Sequence, residues 1–246
     1  MAPHHDRADP YVSLIIPVYN AEAYIQRSID TAIQFFQRQD YPAEIIIVDD
    51  GSRDRTRAIV EPYGGHARIL TGERNRGKGY AVRRGMQAAT GRFLFFTDAD
   101  LPCSLEPLPK FLRCLDREGR DVAIGWRNSP DHAGAVKASW LRKAGSALFT
   151  VLVSRIMVPG IDDTQCGLKG FRRAAAQALF SRNRINRFAF DVELIFIARK
   201  LGLQLGRVPV NVVASAPSTV RPAWDGLLAA RDLARILCYD VLGYYA

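Results

Sequence analysis

Arg92-Phe93-Leu94-Phe95-Phe96-Thr97-Asp98-Ala99-Asp100 sets four apolar residues just before two aspartates one residue apart. A short unbroken apolar run closed by polar residues is the pattern of a strand buried on both faces. The chain repeats it. Val12-Ser-Leu-Ile-Ile-Pro-Val-Tyr19 runs into Asn20, and Glu44-Ile-Ile-Ile-Val48 runs into Asp49-Asp50-Gly51-Ser52. Asp121-Val-Ala-Ile-Gly125 is followed closely by Arg127, and a shorter strand is expected around Arg68-Ile-Leu70.

Helical patterns separate these runs. Ala21 to Arg38 places Ala21, Ile25, Ile29, Ala32, Ile33 and Phe36 at helical spacing. A short helix is expected from Asp54 and another from about Lys78 to Ala89. Alternating strands and helices predict an α/β fold with a doubly wound, mainly parallel sheet. Ligands of such sheets bind outside the carboxyl ends of the strands. The clusters at Tyr19-Asn20, Asp49 to Ser52, Asp98 to Asp100 and Arg127 are therefore expected to share one crevice. The second half is less regular, with a helix expected from about Val136 to Met157, a polar loop, and a helix from Asp191 to Leu201. Trp224 to Tyr245 is amphipathic, Arg231 and Arg235 opposing Leu227, Leu228, Leu233 and Ile236. With no repeat or linker, the expected organisation is a flexible segment 1–10, one domain over 11–221 and a C-terminal amphipathic helix over 222–246.

The bulk numbers narrow the partners. The 246 residues are 48% hydrophobic and 24% charged, an ordinary globular composition with room for a sizeable core. A net charge of +9 points to an anionic partner: nucleic acid, acidic lipid or a phosphorylated substrate. The basic residues lie beside acidic motifs, and those acids would repel a polyanion unless a metal intervened, so no nucleic-acid partner is expected and a basic nucleic-acid-binding domain is a distant alternative. Cys103, Cys114, Cys166 and Cys238 are scattered without metal-ligand spacing and read as free thiols. No apolar run reaches the roughly 18 residues of a membrane span, and Met1 to Pro10 has no signal-peptide core. The expected location is cytoplasmic, with at most peripheral contact at the inner face of the membrane.

Each cluster has two readings. Asp98 and Asp100 suit a divalent cation that keeps positions open for phosphate oxygens, or they are a turn or helix cap; their place after a buried strand favours the cation. Asp49 to Ser52 offers acceptors for a base or ribose, or forms a turn before a helix capped by Asp54. Asn75-Arg-Gly-Lys-Gly79 suits anion binding at a helix start, or it is a plain loop. Arg127 is placed to neutralise a diphosphate, or it is simply solvated. Asp162 to Gly167 and Phe190-Asp-Val-Glu193 carry acids that would position an acceptor or act as a base, with Asp191 equally a helix cap. The basic helix expected around Ala138 to Val158, with Arg142 on it, suits either an anionic membrane surface or the core.

Together these residues resemble the family 2 glycosyltransferases of GT-A fold. The resemblance rests on Pro17-Val-Tyr-Asn20, Val48-Asp-Asp-Gly-Ser52, Gly77-Lys-Gly79 with Ala89-Thr-Gly91, and Asp98-Ala-Asp100. Asp163-Thr-Gln-Cys-Gly-Leu-Lys169, Phe190-Asp-Val-Glu-Leu194 and Val208-Pro-Val210 look like the polyprenyl-phosphate (dolichyl-phosphate) sugar synthases, the first two most like their glucosyl branch. The resemblance implies that Pro17, Tyr19, Val48, Asp50, Lys78, Asp98 and Ala99 bind the nucleotide of UDP-glucose. It implies that Asp98 and Asp100 hold Mg²⁺ or Mn²⁺. Arg127, Arg142, Gln165, Lys169 and Arg221 would serve the phosphates of donor and acceptor, and Asp191 or Asp163 would be the candidate base for a hydroxyl acceptor. Many members have Glu directly after the Asn of the first motif; here Ala21 intervenes, and Glu22 is carried as its substitute.

The implied reaction is a metal-dependent, inverting transfer of a hexose to a polyprenyl phosphate. An acceptor phosphate has a second pKa of about 6 and needs cations rather than a strong base. Many bacterial relatives have membrane spans after this domain and this chain has none, which leaves three expectations open: peripheral membrane contact, a separate membrane partner, or a soluble, polysaccharide or protein acceptor.

Overall fold

Runs apolar at every position need cover on both faces, and the sheet has it. The computed structural model describes residues 9–127, 163–212 and 222–246, with side chains of the last stretch from 228 onward. Strand β1 (Val12–Val18) is buried throughout. It pairs in parallel with β2 (Ala43–Asp49) and β4 (Phe93–Phe96), and β2 pairs in parallel with β3 (Arg68–Thr71). With β5 (Val122–Trp126), β6 (Lys169–Arg172) and β7 (Leu205–Pro209), the order is β3-β2-β1-β4-β6-β5-β7.

Strand β6 runs antiparallel to both neighbours, whereas β7 is parallel to β5. Neither β6 nor β7 stood out as a strand in the sequence. β6, Lys-Gly-Phe-Arg, is too short and too polar to show a period, and Gly170 is where the ring of Phe95 packs: a Cβ there would lie 2.3 Å from it.

Alternate side chains of β1 enter different layers. Ile15 joins one with Ile46, Val48 and Phe96, covered by α3 (Lys78–Ala88), α5 (Arg173–Arg182), α6 (Phe190–Lys200) and α7 (Pro222–Val241). Leu14 and Ile16 join the other, covered by α1 (Ile25–Gln37), α2 (Thr56–Val60) and α4 (Leu108–Leu112). Helix α3 sits so low on the sheet that a Cβ at Gly85 would meet Ile15 at 2.5 Å.

Helix α7 and the tail that follows it are part of this core, since Leu233, Ile236 and Tyr245 belong to the first layer. Thr90-Gly91 serves the far end of the sheet: Thr90 N–H donates to Glu44, and Gly91 N–H donates to Ser13 Oγ at 2.7 Å. The expected helix from Val136 to Met157 lies outside the described residues.

Candidate active site

At the carboxyl ends of β1 and β2 the loops are knitted together. Asn20 adopts a left-handed conformation (φ 49°), its N–H donating to Ser52 Oγ and its Oδ1 accepting from Arg53 N–H at 2.9 Å. Asp49 Oδ1 accepts from Ser52, closing that turn. Buried Asp50 reaches the next loop, where its Oδ2 accepts from Arg76 N–H at 2.9 Å and Gly77 N–H at 2.7 Å. Burial pushes the Asp50 carboxyl up, and these two amides oppose that. Pro17 and Val48 stand side by side in register as a buried floor, with Tyr19 exposed at the edge. The Glu22 carboxylate accepts from Arg55 N–H at 3.0 Å and so fixes the start of α2, and Glu22 lines an open cleft with Tyr24, Arg27 and Asp30.

Gly77 requires its own character here. Its φ is 108°, and a Cβ would lie 2.4 Å from the carbonyl oxygen of Asn186. The close approach lets Lys78, first residue of α3, reach across and pair with Asp98 Oδ1. The other oxygen of Asp98 lies over the Cα of Gly167, where a Cβ would come within 2.3 Å. Asp98, Ala99 and Asp100 are half-buried and form a turn, with Leu101 N–H donating to the carbonyl of Asp98 at 3.0 Å.

Two further ion pairs complete the cluster. Arg127 grips Asp163 through both ends of its guanidinium, at 2.6 and 2.9 Å, and through its own backbone N–H at 2.9 Å. Lys169 Nζ lies 2.5 Å from Asp191 Oδ1 and also donates to the carbonyl of Cys166 at 2.7 Å. Burial alone would raise Asp98, but Lys78, Lys169 and Arg127 together hold it below the ordinary carboxylate range. Asp163 is likewise penalised by burial and likewise held low, by Arg127. Lys78 is penalised by burial, but Asp98, Asp191 and Asp100 outweigh that and raise it.

Lys78, Asp98, Asp100, Arg127, Lys169 and Asp191 thus gather in one charged cluster, while Arg142 and Arg221 lie outside the described residues. Asp191, carried as a base, and Lys169, carried as a phosphate-binding cation, face each other. Both are buried and neutralise each other, because neither charge is tolerated alone in the interior. Gln165 has a buried Nε2 with no hydrogen-bond partner among the described residues.

Tyr24, ahead of α1, was not apparent from sequence. Its phenol is raised by burial and then by Asp100, Asp98 and Asp54, which sets it on the acidic side of the site. Glu193, read as a neighbour of Asp191, is instead a fully buried hub. It accepts from Asn183 Nδ2, Arg184 N–H, Ile185 N–H at 2.8 Å and Tyr245 Oη at 2.5 Å.

Asp98 and Asp100 are the hard oxygen donors that Mg²⁺ or Mn²⁺ prefers. Among the described residues no third acidic or histidine side chain joins them. Such a pair leaves coordination positions for diphosphate oxygens, so the residues fit a cation that binds with a nucleotide.

The sequence profile of glycosyl transferase family 2 matches residues 13–180. The chain belongs to that family. This glycosyltransferase is 32% identical over 249 residues to a dolichyl-phosphate β-glucosyltransferase of Dictyostelium discoideum, covering 96% of this chain and 76% of the relative. It is 35% identical over 247 residues to the protein of the same name from Drosophila melanogaster, covering 94% and 76%. Its fold matches glucosyl-3-phosphoglycerate synthase from Mycobacterium tuberculosis, solved with Mn²⁺, UDP-glucose and phosphoglyceric acid. The TM-score is 0.68 at 21% identity, over 96% of this chain and 80% of that one. The sheet is therefore that of a GT-A glycosyltransferase.

Proposed function

We propose that this enzyme transfers glucose from UDP-glucose to a polyprenyl monophosphate such as dolichyl phosphate, inverting the anomeric carbon. One observation carries the choice of acceptor. Asp191 and Asp163, the acids expected to serve as a base, are both buried and each holds a cation in an ion pair. A hydroxyl acceptor would need one of them to take its proton. A phosphate monoester, largely dianionic near neutrality because its second pKa is about 6, supplies its own nucleophile. The shared name of the curated relatives supports the same acceptor.

On this reading Pro17, Val48 and Tyr19 line the nucleoside, and Asp50 sets the loop beside it. Lys78, now on Asp98, is within reach of the β-phosphate. Asp98 and Asp100 would hold Mg²⁺ or Mn²⁺, which would supply positive charge to the departing diphosphate. Arg127, fixed by Asp163, adds charge from the β5 side. An oxygen of the acceptor phosphate forms a bond to the anomeric carbon as the bond to the β-phosphate oxygen breaks, and the electron pair leaves with UDP. Fixed cations stabilise the charge that develops. Gln165 Nε2 is the uncommitted donor in the acceptor half. The lipid acceptor brings the work to a membrane surface, and no helix among the described residues is long and apolar enough to cross one.

The test is label transfer from UDP-[¹⁴C]glucose with Mn²⁺ and polyprenyl phosphate. Organic-extractable label is expected, lost in Asp98→Ala and Asp100→Ala. Equal transfer to the free polyprenol, or label confined to water-soluble products, would overturn the reading.

A further inference from the structure

The outward side of the C-terminal helix is not the polar surface that a helix packed on a core ordinarily shows. Leu237, Val241, Leu242 and Tyr244 are exposed, Val241 at 88% and Leu242 at 63%. From residue 228 onward the acids are turned away. Asp232 is buried, and half-buried Asp240 is paired with Lys200. What remains outward is apolar or basic, with Arg231 and Arg235 exposed on the same helix.

A second segment extends this face. Arg182-Asn-Arg-Ile-Asn-Arg-Phe188 contains no acid, and Arg184, Arg187 and Phe188 are exposed. It is tied to the helix end, since the Arg184 guanidinium stacks 4.3 Å over the ring of Tyr244 and Arg182 Nε donates to the carbonyl of Ala246. Its other end is tied to the nucleotide loop, where the carbonyl of Asn186 accepts from Tyr80 N–H and lies against Gly77. One apolar and basic surface therefore runs from the tip of α7 to the rim of the site.

We infer that this surface docks on an anionic lipid bilayer, Val241, Leu242, Tyr244 and Phe188 entering the interface while Arg184 and Arg187 meet the headgroups. The inference rests on the lipid-phosphate acceptor proposed above and adds the face that meets the membrane. Apolar side chains ringed by arginine, with no exposed acid in 182–188 or 228–246, match the character of such an interface. Each arginine near an anionic surface is worth about a fivefold gain in affinity, weakened by salt.

The experiment is vesicle sedimentation of the full chain. Phosphatidylglycerol vesicles should capture it at least about tenfold better than phosphatidylcholine vesicles, from the arginine contributions. Val241→Asp/Leu242→Asp should abolish capture, and Arg184→Glu/Arg187→Glu should remove the phosphatidylglycerol preference. An unchanged far-UV circular dichroism spectrum and a cooperative thermal melt in both variants report that the fold is intact. Undiminished capture of either variant, or no capture of the parent, would overturn the inference. So would a dimer in solution that Val241→Asp/Leu242→Asp dissociates, because the face would then belong to a second copy. Transfer to a short, water-soluble isoprenyl phosphate without vesicles separates the two ideas. Its absence in the parent counts against the proposed acceptor, whereas its persistence beside failed capture counts against the docking face alone.

Discussion

Lys169 and Asp191 show how a single residue's role depends on its partner. Both are almost fully buried and 2.5 Å apart. Removing one half of such a pair strands a charge in the interior and costs about 3–5 kcal/mol, whereas replacing both with apolar residues is often neutral. Lys169→Met is therefore expected to lower stability by that amount, and Lys169→Met with Asp191→Leu to recover most of it, as read from urea unfolding. An Asp191 acting as a free base would instead leave Lys169→Met stable and only less active. Asp98 and Asp163 add a pH dependence. Their carboxyls are held low by cations, so the stability they contribute is complete above the ordinary carboxylate pKa of about 4 and fades as pH falls through the lower folded value. The urea midpoint should thus stay level toward pH 5 and fall below about pH 4, with a shallower fall in Asp163→Asn.

Elements act here through close approaches. Gly167 lets the segment before β6 lie against Asp98, and the glycines at 77 and 79 let α3 start against the 183–189 loop, where a Cβ at Gly79 would meet the carbonyl of Ile185 at 2.6 Å. Gly167→Ala is expected to push Asp98 aside and to weaken Mn²⁺ binding measured in the presence of UDP by about 10–100-fold, the range for losing a group that supports a metal ligand. Unchanged Mn²⁺ affinity would show that Asp98 does not need this contact.

At the scale of the whole molecule, the C-terminal helix is built into the catalytic domain rather than appended to it. Tyr245 is fully buried and donates to Glu193, which in turn holds the 184–185 backbone behind the Gly77 loop. Tyr245→Phe leaves a buried carboxylate short of one donor and should cost about 1–3 kcal/mol in a thermal melt. A raised constant for UDP-glucose should accompany it, because the same loop supports Gly77.

Local chemistry was enough to place the first four strands, the helices between them and the aspartates at the strand ends. Buried runs and helical spacing are written over a few neighbouring residues, and Phe93 to Asp100 is legible by itself. The family motifs likewise marked Asp98, Asp100 and Arg127 as a cluster. What the tertiary structure alone decided is which charges remain available. Arg127 meets Asp163 across 36 positions and Lys169 meets Asp191 across 22. No local pattern encodes those meetings; they follow from an antiparallel β6 inserted between β4 and β5, a strand too short to show a period. A charge carried into the interior takes the nearest opposite charge, and only the packed sheet determines which one that is.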